Sequence, residues 1–182
     1  NELVELLFKF PGDPRLNSYW WKHYEHFRDN NHVFSDLVAV SPSTMHVASE
    51  TAPPEIVTGM YVAGRFFDML GVKPAVGRLI GPGDDQLRSP DVAVAVLSWP
   101  YWQSRFKGDP RVLGHTLTIN GVQATIIGIT PRHFFGIQLG VAPPVWLPTA
   151  MEPLIARPSQ LMAGTLNVAV IGRRKPGVSL AQ

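Results

Sequence analysis

Residues 65–78 read Arg65-Phe66-Phe67-Asp68-Met69-Leu70-Gly71-Val72-Lys73-Pro74-Ala75-Val76-Gly77-Arg78, or RFFDMLGVKPAVGR. The stretch mixes a greasy helical turn, two glycines, a proline and three cations, and its order decides what it can be. A phosphate-binding loop sets its glycines between a strand and the N-terminus of a helix, with lysine or serine following. Here the helical turn Phe66 to Leu70 comes first and Gly71 follows it. Gly71 therefore reads as a C-cap, and Pro74 prevents continuation of the helix. Phe66, Phe67 and Leu70 read as core anchors, and Gly77 permits a second tight turn. The stretch is expected to turn a corner rather than to hold an anion.

Outward from that corner the chain is rich in short elements. Leu3 to Phe10 alternates and reads as a strand, broken by Pro11-Gly12-Asp13-Pro14. Asn17 or Ser18 can cap a following helix in which Trp20, Tyr24 and Phe27 share one face, and Asn30-Asn31 stops it. Phe34 to Val40 then reads as a second strand, which completes a strand–helix–strand unit. Ile56 to Val62 is short and β-prone. Gly81 to Pro90 is a polar, turn-rich surface loop. Val92 to Leu97 is wholly apolar, as for a strand covered on both faces. Ser98 can cap a helix with Pro100 in its first turn and Trp102 and Phe106 on one side. Asp109-Pro110 starts another helical turn closed by Gly114. Leu117 to Ile126 is two alternating strands joined by Asn120-Gly121, the dipeptide a type I′ hairpin requires. Pro143 to Pro148 is a proline-framed strand, expected at a sheet edge. Residues 150–165 read as loop or short helix, Leu166 to Gly172 as a strand, and Pro176-Gly177-Val178-Ser179 as a turn with a helix cap.

Composition narrows the function classes. The 182 residues suit one large domain or two small subdomains, and 45% hydrophobic residues against 16% charged ones can bury a core. Sixteen cations face fourteen acids, and the only tight cationic cluster is Arg173-Arg174-Lys175, which is little for a nucleic-acid surface. The chain has no cysteine, so thiolate metal sites and thiol nucleophiles are excluded. No run approaches the ~18 apolar residues of a membrane helix. The chain begins at Asn1 within what reads as a strand and ends on Ser179-Leu180-Ala181-Gln182, which reads as the first turn of a helix. Both ends read as excised from a longer chain.

Candidate chemistry is thin. His23 and His26 lie three apart on the first helix and could approach one metal, but no third ligand is spaced to join them. His32, His46, His115 and His133 are solitary. Asp84-Asp85 with Asp91 could meet a divalent cation, although the calcium-loop pattern is absent, and acids in such a loop are usually solvated. Ser98 follows an apolar strand, but Trp99-Pro100 is too bulky and rigid for a nucleophile elbow. Of five tryptophans, Trp20, Trp102 and Trp146 fit packing positions, and Trp21 and Trp99 are the ones whose exposure would suggest a binding surface. On this reading there are no catalytic, cofactor-binding or metal residues and no cofactor.

The succession VAGRFFDMLGVKPAVGRLI, VAVLSWPYWQSRFKGDPRVLGHTLTINGVQATIIGITPRHFFG, PPVWLPTAM and VAVIGRRKPGVSLAQ resembles the MacB-like periplasmic core domain of ABC transporter permeases in the MacB/FtsX-type superfamily. The likeness spans Ile56 through Gln182, and its motifs are specific only in combination. The resemblance implies an α+β fold: a porter-like part of β-α-β units, residues 1–50 and 160–182, with a mixed, strand-rich inserted subdomain, residues 51–159. The second β-α-β unit would stop short at Gln182, leaving a sheet edge or apolar face exposed. The resemblance further implies a non-catalytic extracytoplasmic domain between the first and second membrane helices, a homodimer in the full transporter, involved in transport such as efflux. Its implied partners are the permease's own membrane helices, a separate cytoplasmic ATPase, and possible contact with a periplasmic adaptor or cargo protein, with no nucleic acid. Two other readings stay open: an extracytoplasmic module binding an apolar or peptide ligand, and a secreted hydrolase using Asp84, Asp85 and nearby histidines.

Overall fold

The strand expected over Phe34 to Val40 does not stop there; it continues as one sixteen-residue strand, Phe34–Ser49. The structure, a computed structural model, describes residues 2–7, 19–49, 52–87, 89, 92–137 and 142–178. In chain order its elements are β1 (Leu3–Leu6), β2 (Tyr19–Trp20), α1 (Trp21–Asn30), β3 (Phe34–Ser49), β4 (Ala52–Val62), α2 (Phe66–Leu70), β5 (Val76–Gly77), β6 (Val94–Leu97), α3 (Trp99–Phe106), β7 (Thr116–Ile119), β8 (Val122–Ile129), β9 (Val145–Pro148), α4 (Glu152–Ile155) and β10 (Asn167–Arg174). The fold is mixed α/β and strand-rich. The expected break at 11–14, the cap at Asn17 or Ser18, and the helix turn from Ser179 lie outside the described residues, as does the end of the first expected strand.

β3 works in two places. Its first half pairs antiparallel with β10, from Phe34↔Arg174 to Val40↔Ala169. β10 pairs antiparallel on its other side with β1. β1 and β3 therefore run the same way with β10 between them, and α1 lies in the connection. Its second half pairs with β4 and, at Val47 and Ala48, with β7. From β4 the hydrogen bonding passes to β9, β6, β8 and β7, and so back to β3. These six strands form a closed circuit, a small barrel in which none keeps a free edge along its paired length.

Strand alternation sorts side chains to the two sides of this wall. Met45, Tyr61, Leu97, Leu117, Ile126 and Leu147 fill the barrel, with Tyr101 and Trp102 of α3 packed against them. Gly59 makes room for Met45: a Cβ at Gly59 would sit 2.4 Å from the Met45 sulfur. The outward side chains Met60, Val62, Val94, Val96 and Trp146 belong to a second core, shared with α1, α2, β10 and the first half of β3. Phe66 stacks on Trp146 at 5.6 Å between centroids, and Phe67 and Phe134 complete the aromatic cluster. The indole N–H of Trp146, nearly wholly buried, meets no hydrogen-bond partner among the described residues.

Local chemistry agrees with most expectations. Gly71 takes a left-handed conformation (φ 69°); its N–H donates to Asp68 O and that of Val72 to Phe67 O, a Schellman closure of α2. Phe66 and Phe67 are buried and Leu70 half-buried, so the stretch 65–78 is a corner anchored in the core. Ser98 Oγ accepts from Tyr101 N, and Asp109 caps the turn at Pro110–Val112. Asn120 (φ 47°) and Gly121 (φ 86°) make the hairpin turn. Asn120 also does something unforeseen: its Oδ1 accepts from His46 N at 2.7 Å, fastening the hairpin to β3.

Two expectations are corrected. Trp20 is not on the buried face of the first helix. Pairing with Asn167 holds it extended in β2, it is 45% exposed, and it stacks on His23, while Trp21 is buried in its stead beside Tyr24, which is buried as expected. The proline-framed strand is not at an edge either: β9 lies between β4 and β6. Its prolines sit only before it and at its last position, so Val145 to Leu147 keep their N–H groups for the ladder. β1 is the outer strand beside β10, and Leu3 on it and Leu7 just after it are exposed.

Two stability measurements check this packing. Gly59→Ala is expected to cost about 1–3 kcal/mol through overpacking. Combined with Met45→Ala, its effect should be clearly less than additive in denaturant unfolding; strict additivity would remove the Met45 contact as the cause. Trp146→Phe, which deletes an unpartnered donor, should cost about 1–2 kcal/mol, against about 3–5 for Trp146→Ala.

Candidate functional site

The described ends of the chain meet at one pole. Arg174 N donates to Glu2 O, and its guanidinium pairs with the Glu2 carboxylate at 2.7 Å. Arg173 Nε donates to Met69 O at 3.1 Å, and Lys175 Nζ to His32 O at 3.1 Å. The one tight cationic cluster of the sequence thus ties β10 to β1, to α2 and to the segment before β3. β3 starts at this pole, with Phe34 opposite Arg174, and leads away along up to about 50 Å of extended chain at ~3.3 Å per residue. On the hairpin it forms with β4, Thr44, His46, Thr58 and Ile56 are exposed, Ile56 by 64%.

A cleft of about 340 Å³ lies between α1 and the loop after β5, lined among others by Tyr24, Arg28, Asp36, Arg65 and Asp85. The Asp84-Asp85 pair is not the solvated couple expected of such a loop. Asp84 is only 6% exposed and takes the Arg78 guanidinium at 2.6 and 2.8 Å and Gly81 N at 2.9 Å. Burial pushes its carboxyl up, but Arg78 and the Gly81 N–H outweigh burial and hold it below the usual range. Asp85 accepts from Gly64 N at 2.8 Å and from Ala150 N at 2.7 Å, clamping the exit of β4 to the turn after β9. Gly64 must stay a glycine for this: a Cβ there would lie 2.8 Å from Asp85 Cβ. Burial pushes the Asp85 carboxyl up to about 6, the two N–H donors pull it down, and the neighbouring Asp84 charge adds to the rise. Beside it, burial pushes the Tyr24 hydroxyl up to about 12; that hydroxyl donates to Leu37 O.

A second cleft, about 660 Å³, opens between the end of α3, the turn after it, β7 and the end of β3. Arg105, Lys107, Asp109, Arg111 and His115 line it beside Phe106, Val112 and Ile126. Arg105 is held by Glu55 at 3.0 Å and by Pro53 O, and Glu55 also accepts from Tyr101 Oη at 2.7 Å. Arg111 grips Asp109 through Nε and Nη2, which holds the Asp109 carboxyl down at about 2, the guanidinium first and the Arg111 N–H second. The sequence reading passed over this group. Its signal was present in Arg105-Phe106-Lys107-Gly108-Asp109-Pro110-Arg111-Val112-Leu113-Gly114-His115, three cations and a histidine in eleven residues, hidden by reading each residue only for its helix or turn.

The remaining candidates do not converge. His23 stacks on Trp20, and His26 contacts Asn30. The hydrogen bonds of Asp84 and Asp85 go to Arg78, Gly81, Gly64 and Ala150, with no histidine among them. Asp91 lies outside the described residues. Among the described residues no three His, Cys, Asp or Glu side chains are grouped to hold a metal ion. Trp21 is buried and Trp99 half-buried against Trp102, so neither opens a binding surface. Ser98 serves as a helix cap. Glu152, buried, accepts from Ser159 Oγ and Gln160 N and so shapes the turn that follows α4. Among the described residues no helix is long and apolar enough to cross a membrane.

The model of the MacB-like periplasmic core domain matches residues 8–182. The chain belongs to this family. It is thus a periplasmic domain of the type found in MacB-like ABC transporter permeases. No curated protein matches it. Among solved structures it is similar to the extracellular domain of the noncanonic ABC-type transporter YknZ from Gram-positive bacteria, with 16% identity, 97% of this chain and 85% of that one covered, and a TM-score of 0.66. It is also similar to the periplasmic region of MacB from Actinobacillus actinomycetemcomitans (14% identity, 98% and 77% covered, TM-score 0.68). A domain of a putative permease protein from Porphyromonas gingivalis matches with 17% identity, 90% and 66% coverage and a TM-score of 0.62. At these identities the likeness is one of fold.

The Asp85 clamp of this MacB-like domain makes a pH prediction. Its folded pKa, about 6, lies above the usual 3.8, so the native state holds this proton more tightly than the unfolded chain does. Its stabilising contribution is full below pH 4 and is lost as pH rises through 6. Asp85→Asn loses one clamp hydrogen bond at every pH but carries no charge to bury. The stability gap between wild type and Asp85→Asn should therefore narrow by about 2 kcal/mol between pH 4.5 and 7.5 in urea unfolding. Parallel profiles would show that Asp85 does not titrate in this window.

Proposed function

We propose that the chain is the extracytoplasmic relay of a permease subunit: joined to that subunit's own membrane helices, paired as a homodimer, and driven by a separate cytoplasmic ATPase. It carries out no chemistry itself; it passes movement of the membrane helices to cargo or to a periplasmic adaptor. One observation carries this reading. β3 starts at the pole where the described chain ends meet, passes through both cores and, paired with β4 from Val40 onward, leads away from that pole. A push at the chain ends is thereby converted into displacement of the far end. Family membership supports the setting.

The same reading assigns residues 1–50 and 160–182 to the porter-like part of β-α-β units and 51–159 to the inserted subdomain. In its favour, β1 and β3 are parallel, β10 lies between them and α1 packs on β3 and β10. β3 then serves both parts, since Met45 and Val47 lie in the barrel. The alternative, a module for an apolar or peptide ligand, finds less support in its apolar form: the two clefts described above are open and carry charged side chains.

The test uses the full-length transporter with spin labels on cysteines introduced at Thr44 and Lys175, both positions exposed or at the pole. The Thr44-to-Lys175 distance within a protomer should stay constant, while the Thr44-to-Thr44 distance between protomers changes on ATP binding. An unchanged distance between protomers would overturn the relay.

A further inference from the structure

We propose that the cleft between the end of α3 and the start of β7 is a binding site for an acidic, partly apolar segment of a partner polypeptide. This goes beyond the permease reading, since binding by the 182-residue chain neither requires nor establishes transport. The cleft's volume of about 660 Å³ falls within the range of ordinary ligand sites. Among the described residues its lining carries three cations, Arg105, Lys107 and Arg111, against one acid, Asp109; with Glu55 on Arg105 counted as well, the excess is one charge, that of Lys107. The local excess is positive.

The cations also keep donors for a carboxylate. Arg105 is held by Glu55 and Pro53 O and is only 17% exposed, while Arg111 pairs with Asp109 on the open side of the cleft, 87% exposed. A guanidinium has five N–H donors in a rigid fork, and these contacts use the Nε and Nη2 sides, leaving Nη1 donors over. Lys107 has no ion-pair partner among the described residues. The walls between the cations are apolar, formed by Phe106, Val112 and Ile126. A phosphate or a nucleic-acid backbone would make no use of those walls, whereas a peptide alternating acidic and apolar side chains meets both kinds of surface. A second, independent sign comes from Ser49, which also lines the cleft: its Oγ is enclosed and meets no hydrogen-bond partner among the described residues. The cleft lies at the end of β3, remote from the pole where the described chain ends meet, so a polypeptide can reach it without crossing that pole.

The experiment is an NMR titration of the 182-residue chain with acetyl-Glu-Leu-Glu-Leu-amide and, in parallel, acetyl-Gln-Leu-Gln-Leu-amide. The acidic peptide is expected to shift the His115 and Thr116 amide signals saturably, with a Kd below about 1 mM, and the glutamine peptide to bind about fivefold more weakly or worse. Neutralising the exposed pair, Lys107→Gln with Arg111→Gln, should weaken acidic-peptide binding about fivefold with the thermal midpoint retained. The charge-matched control, Lys73→Gln with Arg132→Gln, should leave binding unchanged. Equal affinity for the two peptides, equal weakening in both variant pairs, shifts centred on the Asp85 cleft, or no saturable shifts at all would each overturn the proposal.

Discussion

Everything in this fold hangs on β3 belonging to two hydrogen-bonded assemblies at once. Over Leu37 to Val40 it is covered on both faces, as a strand inside a layered sheet must be. After Ser41 one face turns to water and the other supplies Met45 and Val47 to the barrel. Because a strand's period is two residues, one slip in register would send these side chains to the wrong side of both assemblies. The long β3–β4 ladder, from Val40↔Val62 to Ser49↔Ala52, holds that register, and the Asn120 contact to His46 reinforces it from the barrel side.

The features legible in the sequence were those decided by neighbours. Asn120-Gly121 announces a hairpin because two successive residues must accept positive φ, and Gly71 after Leu70 announces a helix end for the same kind of reason. Ser98 read correctly as a cap and Asp109-Pro110 as the start of a helical turn. What could not be read was decided at a distance. Pro42, Thr44 and His46 look like the end of a strand because they face water, yet the residues between them face a barrel that later segments build. The closure of that barrel pairs Val47 with Ile119, and no local pattern marks it. The central place of β9 was missed because prolines at strand ends and prolines inside a strand look alike until the ladder is known.

The charged residues follow the same division. Composition showed few and scattered charges, but it could not show their work. Arg173, Arg174 and Lys175 tie together segments far apart in the chain, Asp85 clamps two backbone turns, and Arg78 holds Asp84 from outside. Such clamps tie loops to the wall where the apolar cores do not reach. They also account for Asp84 and Asp85 being held beside α1 rather than simply solvated.

Barrel closure has a consequence for how the chain is made. The half of β3 that carries Met45 and Val47 emerges from the ribosome about 70 residues before β7, its closing partner, a delay of several seconds at ~5–20 residues per second. Through that interval its apolar side chains have no cover, whereas the hairpin of β7 and β8 can form as soon as it is synthesised. Until β7 follows, the β3–β4 portion is therefore the part of this domain most open to association with other chains.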